Sequence, residues 1–254
     1  MRIFKKILQY AAVAFFWVAV WWVASLLVGK EVLLPSPAAT AKVFAALFTE
    51  ASFWQSCGWS LVRILAGLLL GAAVGVLLAI LTSASRTAHM LISPLLSIVR
   101  STPVASFIVL ALVWFGRGQV PSFAASLIVL PVVWSSVTTA IAGADRHLIE
   151  MMQVFSFSPP KRLRHFYIPA VTPAFAASFR TSLGLAWKAG VAAEVLCTPA
   201  FAIGKSLHDA KVYLETAELF AWTITVILLS LVLENLFGFL CKRLERRGGG
   251  AKNA

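Results

Sequence analysis

Charge is scarce in this chain. Asp, Glu, Lys and Arg make up 13% of its 254 residues, and only ten of them are acidic. A soluble domain carries about 25% charged and about 45–50% apolar residues; here the apolar share is 60%. That balance excludes an ordinary water-soluble globule and leaves an integral membrane protein. Cysteine is nearly as rare. Cys57, Cys197 and Cys241 form no CxxC and no ligand-like spacing, so neither a disulfide framework nor a thiolate metal site follows from them. The four histidines (His89, His147, His165 and His208) lie in separate segments without an HExxH pair, which removes the common zinc constellation. No GxSxG nucleophile elbow occurs. Gly204-Lys205-Ser206 looks like the end of a phosphate-binding loop, but the pattern GxxxxGK[ST] needs a glycine where Pro199 stands. The sequence therefore offers no catalytic residues, no metal ligands and no cofactor site. Whatever energy drives this protein, the chain cannot hydrolyse nucleotide itself.

Long apolar runs are what it does have. The first follows MRIFKK and covers 7–29 without a charge. As a helix it would be about 34 Å long, enough to cross about 30 Å of hydrocarbon. The apolar core of a signal peptide is only about 7–15 residues, so this run is read as a retained first span. Further runs cover 61–82, 95–115, 121–142, 174–196 and 221–240, which predicts an all-α membrane protein with six transmembrane helices. The third is interrupted by Arg100 and Pro103 and is expected to begin late or to kink.

The connecting segments carry the basic residues unequally. One side holds Arg2, Lys5, Lys6, Arg86, Arg146, Lys161, Arg162, Arg164 and the basic tail from Lys242 to Lys252; the other holds Lys30, Lys42, Arg117, Lys205 and Lys211, with Arg63 near its boundary. Positive residues stay inside, so both termini and the segment after the fourth span are expected in the cytoplasm. A net charge of +12 would suggest nucleic acid in a soluble protein. Here the partner it implies is membrane lipid, not nucleic acid.

Three local patterns add detail. Ser36-Pro37 reads as a helix start, because the serine can accept a first-turn N–H and proline lacks the N–H that would be orphaned there. Gly67, Gly71 and Gly75 fall on one helix face, where a neighbouring helix can approach closely. Arg180, Lys188 and Glu194 lie along the fifth span, with Glu234 and Asn235 in the sixth. Intramembrane charges normally face protein or water, which leaves two readings. They are structural ion pairs and anchors, or Lys188 or Arg180 lines a pathway and favours an anion.

Residues 148–170 read LIEMMQVFSFSPPKRLRHFYIPA. Asp145 can cap a helix running to about Phe155, and Ser158 can cap a second with Pro159 and Pro160 in its first turn. Composition alone gives a basic inner loop; the spacing says more. The segment resembles the EAA loop of permease subunits in binding-protein-dependent ABC importers: E-A-A, three residues, G, nine residues, then I-x-L-P. Glu150 takes the glutamate position, Met151 and Met152 replace the alanines, Ser156 the glycine, and Phe166, Ile168 and Pro169 match the ending without an insertion. LPSP at 34–37, SLVRILAGLLLGAAVG at 60–75, RSTPVASFIVLALVWFGRG at 100–118, FRTSLGLAWKAGVAAEVL at 179–196 and LERR at 244–247 resemble the nitrate/sulfonate/taurine branch of that family.

The resemblance implies a type I ABC importer permease fold in a bacterial inner membrane. An N-terminal helix and external segment would occupy 1–56. A transmembrane domain would fill 57–241 and contain the cytoplasmic loop 145–169, with a cytoplasmic tail at 242–254. It implies two permease copies, two cytoplasmic ATP-binding subunits that hydrolyse ATP in this chain's place, and an extracytoplasmic solute-binding protein. Glu150, Met151, Met152, Ser156, Phe166, Ile168 and Pro169 would dock the ATPase. A self-sufficient secondary transporter or channel is the alternative; it would need its own coupling-ion site and often repeated halves, and no repeat is evident.

Overall fold

Helix boundaries in the computed structural model follow from the residues at them. The structure describes residues 2–144, 147, 151–152, 155 and 157–248. Among these the chain is helical throughout, with no strand: α1 (Arg2–Val28), α2 (Pro37–Phe48), α3 (Ala51–Ala84), α4 (Arg86–Ser101), α5 (Val104–Trp114), α6 (Val120–Ala142), α7 (Ile168–Cys197), α8 (Ile203–Val212) and α9 (Thr216–Gly248). α1 stops at Gly29, whose φ of 63° is a backbone state that suits glycine. α2 starts as the sequence predicts: the Ser36 hydroxyl accepts from the N–H of Ala39 at 3.1 Å, with Pro37 at the first helical position. Ser85 caps α4 in the same way, accepting from Ala88 at 3.3 Å.

The centre of the bundle is α3 against α6. The two run parallel, and the glycine column is where they touch. A Cβ on Gly71 would stand 2.5 Å from the carbonyl oxygen of Ser126 and 2.8 Å from its Cα; one on Gly75 would stand 2.9 Å from the Leu130 carbonyl oxygen. Gly67 meets Ser122 and Ala125 in the same manner. Contacts repeat every four residues on both helices, so only a side-chain-free column permits this approach. α7 packs antiparallel to α6, where the Ser136 hydroxyl donates to the Ala174 carbonyl at 3.1 Å, and also touches α3, where Gly190 meets Ile64. Ile64, Leu68, Val129, Val133, Leu183 and Trp187 fill the space between these three helices. α9 flanks α7, held by the indole N–H of Trp187 donating to the Val226 carbonyl at 3.1 Å.

The bundle has two unlike ends. At the cap end lie α2, α8 and the start of α9. α1 is tied there by Trp21, which donates to the Pro35 carbonyl at 3.1 Å and stacks on Phe220. The opposite, basic end gathers the start of α4, residues 157–167 and the end of α9. Between the ends the outward surface is apolar: Leu69, Leu70, Leu77, Val109, Val113, Leu228 and Val232 are all exposed. Such a continuous apolar exterior is incompatible with water and suits lipid.

Five of the six predicted apolar runs fall in single helices, in the predicted order, and the third is divided between α4 and α5. Length and apolarity by themselves single out three membrane-crossing helices among the described residues, Ala51–Ala84, Val120–Ala142 and Thr216–Phe239. A fourth follows if α4 and α5 form one span; they bend by 106° across Thr102 and Pro103. The third run is thus broken where Arg100 and Pro103 predicted, since proline disfavours helical backbone in the residue before it. α7 is 30 residues long but carries Arg180, Lys188 and Glu194. These charges keep it out of that set.

Candidate functional site

Glu194 is fully buried in the last turns of α7, at the cap end. Ser60 on α3 donates to its Oε2 at 2.7 Å, and the N–H of Gly204, in the first turn of α8, donates to the same oxygen at 3.2 Å. Ser60 Oγ in turn accepts from the Ile203 N–H at 3.0 Å. Glu194 Oε1 has no hydrogen bond and lies 3.6 Å from Nη1 of Arg63. The Arg63 guanidinium donates to the carbonyls of Phe201 and Ala200 at 2.9 and 2.8 Å. One carboxylate therefore ties together α3, α7, the loop 198–202 and the start of α8. Gly204 belongs to the same device. A Cβ there would stand 2.5 Å from the Val195 N and closer still to Glu194. The Gly204-Lys205-Ser206 triplet is thus a close-packed helix start, with its free N–H taken by a side chain.

The other two charges of α7 sit differently. Arg180 is exposed and reaches toward α9, its guanidinium 3.6 Å from where a Gly238 Cβ would stand. Lys188 is exposed and lies on the stripe of Thr181 and Leu185, four and seven residues along one helix face. That stripe borders an open groove of about 620 Å³ between α6 and α7, lined by Ser135, Thr139, Ala177, Thr181 and, from α4, Arg100. A neighbouring cavity of about 280 Å³ is lined by Thr102, Phe107, Leu127, Leu185 and again Arg100. Arg100 is the charged residue common to both. Sequence reasoning passed over it, treating it only as an interruption of the third span. The available signal was a lone arginine within an apolar run, which by default marks a functional position.

At the basic end, Glu150 and Ser156 lie outside the described residues, as does Asp145 with its expected cap. Met151 is exposed and Met152 buried; Phe166 is buried; Ile168 and Pro169 are exposed. Helix resumes after Ser158, as a turn at Pro159–Arg162 followed by a π-helical segment, Leu163–Tyr167. The Arg162 Nε–H donates to the Phe157 carbonyl at 2.8 Å. This second helix does not stand free, because the π segment joins it directly to α7. The wider turn inserts residues without breaking the helix, so a displacement at residues 159–162 has a continuous rod to act on. Ile168 lines an apolar cleft of about 520 Å³ with Ile80, Ile141, Tyr167, Val171 and Phe175, between the basic ends of α3, α6 and α7.

A helical bundle with an apolar exterior, a polar groove between its helices and a basic helical segment feeding one of them defines a membrane transport component. Residues 67–247 match the family described as binding-protein-dependent transport system inner membrane component, and the chain belongs to that family. It is 28% identical over 234 residues to the putative aliphatic sulfonates transport permease protein SsuC of Bacillus subtilis, covering 91% of this chain and 82% of that protein. It is 26% identical over 234 residues to the taurine transport system permease protein TauC of Escherichia coli, covering 89% and 84%. Its fold is shared with a chain of the bacterial alginate ABC transporter crystallised with an alginate-bound periplasmic protein, at a TM-score of 0.63, 14% identity and 96% coverage of both chains. The chain is a membrane-spanning permease of this importer class, in the bacterial inner membrane.

Proposed function

We propose that two copies of this chain form the translocation pathway of an ATP-driven importer for a small anionic solute. An external solute-binding protein delivers the solute at the cap end, and two ATP-binding subunits dock at residues 145–169 on the cytoplasmic side. ATP hydrolysis belongs to those subunits, and both termini face the cytoplasm with them. The observation that carries the reading is the family match over 67–247, which contains the E-x5-S-x9-F-x-I-P pattern from Glu150 to Pro169 in register. The continuous helix from Pro159 into α7 supports it, because closure of the ATPase could reach the membrane helices as a rigid-body movement. The sulfonate and taurine names of the relatives and the cation Arg100 in the groove, with Lys188 exposed on the helix stripe beside it, support an anionic solute.

The test is Glu150→Lys in the reconstituted complex. Docking or coupling should weaken, seen as lost co-purification of the ATPase or lost stimulation of ATP hydrolysis by the binding protein, while membrane insertion is unaffected. Wild-type assembly, stimulation and transport would remove Glu150 from the contact. Orientation is tested by a single cysteine at position 158, which an impermeant reagent should leave unmodified in intact cells.

A further inference from the structure

Arg100 is under-used by its own chain. A guanidinium has five N–H donors, and this one makes a single hydrogen bond, from Nη2 to the Pro131 carbonyl at 3.0 Å. No carboxylate lies within 4.0 Å of it among the described residues. It stands in the last turn of α4, where the helix's own carbonyls would accept a cation, yet its bond crosses to α6 and its remaining donors open on the groove.

The groove's other polar groups are of the kind an anion uses. Ser135 and Thr139 line it with hydroxyls that hydrogen-bond to no described residue, so their protons are free to donate. Lys188 stands about 10 Å farther along α7 on the Thr181 stripe, with no carboxylate in ion-pair range among the described residues. One fixed cation and unspent hydroxyl donors thus share one surface, with Lys188 exposed on the helix stripe that borders it. Such a surface facing hydrocarbon would carry the cost of uncompensated charge, so water or a protein partner covers it.

We infer that this groove is an anion-binding stretch of the translocation path, with Arg100 as its fixed positive centre and a small oxyanion of the sulfonate kind as its occupant. Guanidinium and hydroxyl donors match such an oxyanion by charge-assisted hydrogen bonds, and Lys188 supplies the next cation toward the cap end. The inference rests on the permease reading and deepens it, because it names the ligand chemistry and the residues that meet it.

The test does not require the natural solute. Thr139→Cys, Thr181→Cys and, as an outward-facing control, Leu228→Cys are placed singly in the otherwise cysteine-free chain. Each is assembled with its ATP-binding subunits in liposomes. Each cysteine is then treated with 2-sulfonatoethyl methanethiosulfonate or its trimethylammonium counterpart, and rates are normalised to a free thiol. A cleft lined by one sign of charge raises the local concentration of the opposite sign by about tenfold or more. Positions 139 and 181 should therefore favour the sulfonate reagent by about that factor, and position 228 should react with neither. Arg100→Gln should bring the preference near unity, whereas Arg100→Lys, which keeps the charge, should retain it. If Arg100→Gln fails to assemble, the preference measured with Arg100 intact decides alone. Unreactive cysteines at 139 and 181, no preference, or a preference untouched by Arg100→Gln would overturn the inference. Failure of the chain to co-purify with any ATP-binding subunit would instead remove the permease reading.

Discussion

Arg63 and Arg100 are both guanidinium groups set in an apolar helical bundle, and the chain treats them in opposite ways. Arg63, with its side chain 15% exposed, has a carboxylate at 3.6 Å and two carbonyls at hydrogen-bond distance. Its charge is spent within the fold, joining α3 to the loop that leads into α8. Arg100 has one carbonyl and an open groove. Desolvating a charge is worthwhile only when partners compensate it, so a cation left short of partners stands where something else arrives. The cap end thus behaves as a structural latch and the groove as a working surface, and stability and transport should respond to them separately.

The largest effect is expected at the latch. Glu194→Ala leaves Arg63 without its carboxylate and Ser60 and Gly204 without an acceptor. Removing one member of a buried pair costs about 3–5 kcal/mol, so the thermal stability of the detergent-solubilised chain should fall sharply. A stability equal to wild type would end the distinction between the two arginines. Next comes the α3–α6 contact on which both regions rest. Gly71→Ala places a methyl against the Ser126 backbone, and overpacking of this kind costs about 1–3 kcal/mol. Unfolding should shift accordingly, and a neutral result would mean the helices have room to separate. The smallest effect on stability is expected from Lys188→Met. Assembly and thermal midpoint should stay as in wild type while transport falls several-fold. Lost subunits or a lowered midpoint would move Lys188 from the working surface to the scaffold, and an unchanged transport rate in a stable complex would remove its pathway role.

Much of the architecture was legible in advance because a membrane imposes simple rules on a chain. Apolar runs of about 20 residues must become helices, and all but the third lie in a single one. The four-residue spacing of Gly67, Gly71 and Gly75 needs no partner sequence to predict a close helix contact, and the contact is with α6. Ser36-Pro37 encodes its helix start within four residues. The latch was not legible in this way. Ser60 and Glu194 are 134 residues apart, and nothing local to either names the other; from sequence, Glu194 was one of three equivalent charges on the fifth span. Arg100 was visible, but only as a flaw in an apolar run. The break itself follows from Pro103, but neither its angle of 106° nor the hydroxyls of α6 and α7 opposite Arg100 follow from residues 95–115 by themselves.

The sequence by itself determined that this chain is a helical membrane protein, the order of its apolar helices with the start of α2, and to which permease family it belongs. Those properties depend on runs, caps and spacings a few residues long, or on motifs kept in linear order. Tertiary structure alone decided which charges are spent and which are free. Whether a buried ion is neutralised depends mostly on groups within about 4 Å in space, because hydrogen bonds form only at about 3 Å and Coulomb attraction weakens with distance. In a bundle, those neighbours come from helices far apart along the chain.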